Sequence, residues 1–271
     1  MRRKMIRRTW ASVKKIGDKY LTVIFLIGAT PDDHVQNLVK VESNCFGDIL
    51  QTNLSDTFHN LTFKTLSAFK WISTQFQRKS DFYVFSDDDC VINVRNTLNF
   101  LVTTIPIGSS EKQVMYCGFM YEKCSGVIRG NGKLSLQQSQ YTSDILPPFC
   151  RGVMVVLTYK MVTDLYAISQ VTHYEDFPLD DVMIYGILRE KLNQGDANIY
   201  PVINKGHPLV FYPWSDGEAV VEKMAMYWKS LKNKPPPDRN IHPRGSHTFA
   251  CLRYNLNIKR LLRKAGAWYT V

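Results

Sequence analysis

Three consecutive aspartates, Asp87-Asp88-Asp89, close the apolar run Phe82–Ser86. Adjacent carboxylates repel one another and gain little from burial unless a cation accompanies them. In a turn after a strand, Asp87 and Asp89 can face the same side, where their oxygens suit a divalent metal. Such a metal can hold the two phosphates of a nucleoside diphosphate and act as a Lewis acid for the leaving group. A solvated acidic turn would use the same residues, and a bare Asp-x-Asp is a weak motif; the apolar strand in front of it strengthens the metal reading. A second pair, Asp180-Asp181, follows Pro178. Acids belong in the first turn of a helix, where the dipole favours them. The chemical reading is a general base, because transfer to a hydroxyl needs a carboxylate to take its proton.

The elements that must position these residues follow an α/β rhythm. Tyr20–Gly28 is rich in β-branched and aromatic residues and reads as a strand buried on both faces. Asp32–Glu42 reads as a helix, Phe46–Leu50 as a short strand or turn, and Leu61–Phe76 as a helix with one apolar face. Phe82–Ser86 is a second apolar strand and Asn93–Val102 a further helix. Alternation of this kind predicts a sheet with right-handed crossovers, whose ligands bind at the carboxyl ends of the strands. Beyond it, Val114–Phe119 and Val153–Thr158 read as strands, Pro178–Leu192 and the basic Phe249–Lys264 as helices, and Lys234–Asp238 (KPPPD) as a breaker.

The 271 residues are 45% hydrophobic and 21% charged, ordinary for a globular chain with a real core. The net charge of +10 is concentrated in residues 1–19 and 229–264, and no aromatic–basic nucleic-acid motif accompanies it, so no nucleic-acid partner is expected. None of the six cysteines forms a C-x-x-C pair, which argues against a structural zinc. Cys117 and Cys124 are close enough to close a small loop. Asn53-Leu54-Ser55 and Asn60-Leu61-Thr62 are glycosylation sequons, relevant only in the secretory pathway. No apolar run approaches the roughly 18–20 residues of a membrane-spanning helix, and no signal peptide is visible.

Seven ordered motifs carry a family resemblance. Arg3, Ile6, Arg7, Thr9 and Trp10 fit R-x-x-I-R-x-T-W; Phe25–Gly28 fits F-L-x-G; Glu42 with Gly47–Leu50 fits E-x-x-x-x-G-D-I-L. Asp56, Phe58, Asn60, Leu61, Thr62, Lys64 and Thr65 fit D-x-Y-x-N-L-T-x-K-T, with Phe for Tyr. Phe82–Asp89 fits the strand and triple aspartate; Pro147–Cys150 with Gly152 fits P-P-Y-C-x-G; Asp180–Val182 with Gly186 fits E-D-V-x-x-x-G, with Asp for Glu. Over Arg3 to about Leu192 the chain resembles the β-1,3-galactosyltransferase and β-1,3-N-acetylglucosaminyltransferase family.

That resemblance implies an α/β fold of the GT-A type, with a mostly parallel twisted sheet and flanking helices. It implies one catalytic domain over residues 1–271, with a nucleotide-sugar-binding half (1–110) and an acceptor-binding half (111–271). It also implies Mn²⁺, a UDP-sugar donor, a glycan acceptor on a glycoprotein or glycolipid, inversion, and a β-1,3 link. The expected location is the lumenal side of the Golgi membrane, through an N-terminal anchor that this chain lacks. The roles carried over are Asp89 and Asp87 as metal ligands with His207 as a further ligand, Asp87, Asp88 and Arg7 as nucleotide-sugar contacts, and Asp181 as base. A structural ion pair is the equal alternative for Arg7, and a structural role is favoured for Lys64. Arg151 and Asp180 are secondary candidates at the substrate loop. Where the family has S-G-G-G after its P-P-Y-C motif, this chain has Arg151-Gly152-Val153-Met154, side chains that would narrow or recharge a substrate-contacting loop. Cys90 stands where the family has an aliphatic residue and is expected to be a small buried side chain. Three competing readings are a catalytically impaired member that binds glycans or partners, a phosphotransferase, and a nucleic-acid binder. Intact Asp87, Asp89 and Asp181 weigh against the first. The position of the aspartates after a later strand weighs against the second, and the location of the basic residues against the third.

Overall fold

Val155, Val156 and Leu157 have no solvent exposure at all, and Thr158 only 1%. A strand whose successive residues are all buried must be covered on both faces, and in the computed structural model it forms the middle of the molecule. The structure describes residues 1–75, 80–104, 111–119, 121–123, 125–174, 177–192, 199–201, 208–214 and 217–232. The expected segments 234–238 and 249–264, Cys124 and His207 lie outside them.

In chain order the first half contains α1 (Arg2–Arg8), a 3₁₀ turn at Trp10–Ser12, and the short strands β1 (Lys15–Ile16) and β2 (Lys19–Tyr20). It continues with β3 (Phe25–Ala29), α2 (Asp33–Phe46), β4 (Ile49–Ser55), α3 (Leu61–Thr74), β5 (Phe82–Phe85), β6 (Val91–Ile92) and α4 (Val94–Thr104). The second half adds β7 (Met115–Cys117), β8 (Tyr121–Glu122), β9 (Phe149–Cys150), β10 (Val155–Thr158) and α5 (Tyr159–Ser169). Then come α6 (Asp180–Val182), a π-helical stretch Met183–Leu188, α7 (Arg189–Leu192), β11 (Ile199–Pro201), β12 (Val210–Phe211) and α8 (Glu218–Lys232).

The α/β class stands, but the expected mostly parallel sheet does not. The four-stranded sheet runs β11-β7-β10-β5, with β10 antiparallel to both neighbours and β7 parallel to β11. A separate parallel pair joins β3 to β4. An apolar run announces burial and leaves strand direction open, so nothing local distinguished the two arrangements. The predicted strand Tyr20–Gly28 also splits, since its first residue belongs to the small β1–β2 ribbon.

Alternate residues of the central strand feed two cores. Val155 and Leu157 pack with Leu66, Phe69 and Ile72 of α3 and Met161 and Leu165 of α5. Met154 and Val156 face Ile6, Trp10, Val220 and Met224. Gly28 shows why β3 and β4 lie so close: a Cβ there would stand 2.7 Å from the Asp56 Cα and the Leu54 carbonyl oxygen.

Two motifs prove to be bracing. Arg3 donates to both oxygens of Glu42 (2.9 and 2.5 Å), while Arg7 donates to Glu42 (2.6 Å) and to both oxygens of Asp48 (2.8 and 2.7 Å). Hydrogen bonds from Arg3 and then Arg7 overcome partial burial and hold Glu42 down to about 2. The stability this contributes is present above the ordinary carboxylate range and is lost as pH falls towards 2. The second brace aligns α3. Lys64 pairs with Asp56 at 2.7 Å, Asn60 donates to the Ser55 carbonyl at 2.8 Å, and buried Thr62 donates to the Phe177 carbonyl at 3.1 Å. The Asn60 sequon therefore serves as a turn lock.

The disulfide is Cys117–Cys150, 33 residues apart, rather than a Cys117–Cys124 loop. The ends of β7 and β9, which belong to different sheets, meet with Cα atoms 5.0 Å apart, a relation that sequence spacing does not carry. Closing a loop of that length stabilises a fold by about 3–4 kcal/mol. The double variant Cys117→Ala/Cys150→Ala should lose about that much unfolding free energy in urea titrations; an unchanged midpoint would contradict the pairing.

Candidate active site

Sheet register brings the acidic turn and the 150–154 loop to one edge. Phe85, the last residue of β5, lies opposite Val155, the first of β10, and Cys117 at the end of β7 lies opposite Val155 on its other side. Ser86 then donates its hydroxyl to the Val153 carbonyl at 2.7 Å, tying the two loops together. Behind the turn, the Trp10 indole N–H donates to the Cys90 carbonyl at 3.1 Å, and Cys90 is fully buried as expected. The aspartates thus leave the carboxyl end of a strand, where ligands bind in open α/β sheets.

Asp180 and Asp181 come to the same place from the start of α6. The Thr65 hydroxyl on α3 approaches Asp180 at 3.5 Å, and the Val182 backbone N–H donates to Asp181 at 2.8 Å. The Gly152 backbone also stabilises the Asp181 carboxylate.

Gly152 lies between the two acidic segments, where a Cβ would stand 3.9 Å from the Asp181 Cβ, and the two segments share an electrostatic environment. Burial, then Asp89, Asp181 and Asp88, push Asp87 up to about 6, with Arg2 opposing. Asp87 is nonetheless open to solvent, so its carboxyl stands in an open cleft with protein around it rather than on a convex surface. Burial, then Asp181 and Asp87, push Asp180 up to about 7. Asp89 is raised by burial and eased by the Cys90 thiol and Arg2, and Asp181 is raised by burial and eased by Val182 and Arg151. Among the described residues no group of three His, Cys, Asp or Glu side chains is arranged to hold a metal.

The remaining candidates are placed as follows. Asp88 makes an exposed ion pair with Arg2 at 2.6 Å. Of the two readings for Arg7 the structure displays the ion pair, with its Nε and both Nη nitrogens engaged and its Cζ 4.0 Å from the Phe46 ring centroid. Arg151 stands beside Asp181 and donates Nε to Glu122 at 2.8 Å. Val153 and Met154 do not line the loop's open side: they are 8% and 0% exposed and belong to the second core. That corrects the expectation for both and leaves Arg151 as the change that reaches the cleft. His207 lies outside the described residues; Val210–Phe211 pairs with Val91–Ile92, which follows the aspartates after Cys90.

Sequence reasoning missed Tyr185. Its side chain is 2% exposed, and burial, then Asp180, Asp181 and Asp87, push its hydroxyl well above the ordinary range. It follows Asp181 by four residues, so helical spacing was a usable signal. It also sits in the π-helical stretch, a local widening that recurs at functional sites.

A raised carboxylate destabilises the fold once it ionises. Asp180 has a folded pKa of about 7 against an ordinary 3.8. Its contribution is therefore intact below the unfolded value and lost as pH rises through the folded one. Asp180→Asn should match the parent below about pH 4 and exceed it increasingly up to about pH 7, by about 2–4 kcal/mol. Thermal melts from pH 4 to 8 check this, and a parallel pair of curves would refute the assignment.

The galactosyltransferase family signature matches residues 1–196. The chain is 33% identical over 183 residues to "Beta-1,3-galactosyltransferase brn" of Drosophila melanogaster, covering 68% of this chain and 54% of that protein. It is 29% identical over 191 residues to "Beta-1,3-galactosyltransferase 5" of Homo sapiens (70% and 59%). It is 27% identical over 242 residues to "Beta-1,3-galactosyltransferase 1" of Mus musculus (86% and 70%). The chain thus spans little more than half the length of the first two relatives. With the match covering most of its residues, and the acidic turn and the Asp180–Asp181 helix both inside it, the chain belongs to the galactosyltransferase family.

Proposed function

We propose that the chain transfers a hexose, galactose by analogy with its relatives, from a UDP-sugar to a hydroxyl of an acceptor glycan. The link formed is β-1,3, with inversion, in protein or lipid glycosylation on the lumenal side of the Golgi membrane. The observation that carries this reading is the convergence of two carboxylate pairs, from residues 87–89 and 180–181, at one edge of the sheet. The first pair belongs to the nucleotide-sugar half (1–110) and the second to the acceptor half (111–271). No helix among the described residues is long and apolar enough to cross a membrane.

The residues present suit Mn²⁺. Asp87 and Asp89 offer oxygen donors only, the charge of Asp89 raises the affinity of Asp87 for a positive charge, and Arg2 is the cation that opposes this. Two carboxylates without a complete protein cage suit a metal whose other positions are filled by phosphate and water. Asp87 and Asp89 would hold it, with His207 as a third candidate, and when bound it supplies positive charge to the departing diphosphate. Asp181 takes the proton of the acceptor hydroxyl. That oxygen bonds to the anomeric carbon as the bond to UDP breaks, and UDP leaves with its electron pair. Asp180 and Tyr185 lie behind Asp181 and hold its surroundings.

A donor and acceptor screen that reads released UDP tests the reading. Release should require Mn²⁺ and fall at least about a hundredfold in Asp89→Ala, the loss of a positioned electrostatic group. Asp181→Asn should keep UDP-sugar binding and lose about 10²–10⁴ in kcat, the range for a general base. Full activity in Asp89→Ala would defeat the metal assignment. Lost binding with unimpaired transfer at saturation in Asp181→Asn would defeat the base assignment. Glycan binding without UDP release from any donor would favour a binding module instead.

A further inference from the structure

Arg151 is held more firmly than a loop arginine needs to be. It follows Cys150, whose disulfide to Cys117 pins the end of β9. Its Nε donates to Glu122 Oε1 at 2.8 Å, and the Ser125 hydroxyl donates to Glu122 Oε2 at 3.2 Å. Glu122 in turn sits opposite Phe149 in the β8–β9 ladder. One edge of the guanidinium is therefore fixed. No hydrogen bond among the described residues takes up either Nη nitrogen, and the side chain is 39% exposed.

The segment that carries Arg151 lies against Asp181. The next residue is Gly152, where a Cβ would lie 3.9 Å from the Asp181 Cβ. Arg151 is the cation whose charge reaches Asp181, whereas Arg2 is the one that reaches Asp87 and Asp89. In a one-step displacement the attacking and leaving oxygens lie on opposite sides of the anomeric carbon. A cation beside the base is therefore on the acceptor's side, away from the diphosphate. An anionic acceptor would otherwise be repelled by Asp180 and Asp181. A fixed guanidinium with a free pair of Nη donors is suited to the planar fork of a carboxylate.

We infer that Arg151 is a specificity residue that selects an acceptor sugar carrying a carboxylate near its accepting hydroxyl, as a uronic acid does. This rests on the transferase reading above, and the experiment separates the two. Initial rates are measured for p-nitrophenyl β-glucuronide and p-nitrophenyl β-glucoside, which differ only in the group at C6, using Mn²⁺ and the donor selected by the UDP-release screen. The parent chain should favour the glucuronide at least about tenfold in kcat/KM, and one charge-assisted contact is ample for that ratio. Arg151→Gln should bring the ratio to about one, and Arg151→Lys, which keeps the charge and loses the fork, should fall between. If Arg151→Gln does not fold, the Arg151→Lys ratio carries the test. A parent ratio near one, a preference for the glucoside, or a preference unchanged in the variants overturns the inference. If no donor gives transfer at all, the transferase reading fails separately. Calorimetric titration of the UDP- and Mn²⁺-loaded chain with the two glycosides then decides the acceptor question by binding alone.

Discussion

Asp87 feels the charges of Asp89 and Asp181, and Asp180 those of Asp181 and Asp87, at one end of a four-stranded sheet, and the packing around them has to withstand that repulsion. Carboxylates gathered in a partly desolvated cleft favour their protonated forms, which is why Asp87 and Asp180 are displaced towards neutrality. Locally, the offsets are few: the Val182 and Gly152 backbones for Asp181, the Thr65 hydroxyl near Asp180, and the charges of Arg2 and Arg151. A bound divalent cation would reverse the balance, turning a cluster of mutually repelling carboxylates into a site that its ligand stabilises.

Most of the recognisable motif residues serve this edge indirectly. The Trp10 indole holds the chain directly after the aspartates, and the Arg3–Arg7–Glu42–Asp48 network fixes the helix that delivers Trp10. Asp56, Asn60, Thr62 and Lys64 orient α3 so that Thr65 meets Asp180. Few of these side chains touch the cleft. They keep two acidic turns, more than ninety residues apart in the chain, in register with each other.

The acids that the fold gathers at the candidate site were legible in advance for a simple reason. A triple aspartate after an apolar strand, and an acidic pair at a helix start, are local patterns with local causes. Burial of Cys90 was legible in the same way. Sequence-based boundaries were good to a few residues for α2, α3 and β5, where apolar periodicity is strong. What escaped was relational. The reversed direction of β10 and the Cys117–Cys150 pairing each depend on which distant segments share an edge. The same is true of the fates of Val153 and Met154. A departure from S-G-G-G reads as altering a substrate loop, yet two of its side chains turn into the second core and Arg151 is the one that stays exposed.

The amino-acid sequence by itself determined the family, the α/β class and the residues able to do chemistry, because each is written in residue type and short-range spacing. Tertiary structure decided which of them act together. Sheet register placed the end of β5 beside the start of β10 and so joined the Asp87–Asp89 turn to the 150–154 loop. It committed Arg7 to an ion pair, placed Tyr185 behind the acids, and stood Arg151 beside Asp181. The physical reason is one of range. Propensity and periodicity act over a few residues, whereas the charge that a carboxylate feels depends on every group within several ångströms, wherever in the chain it originates.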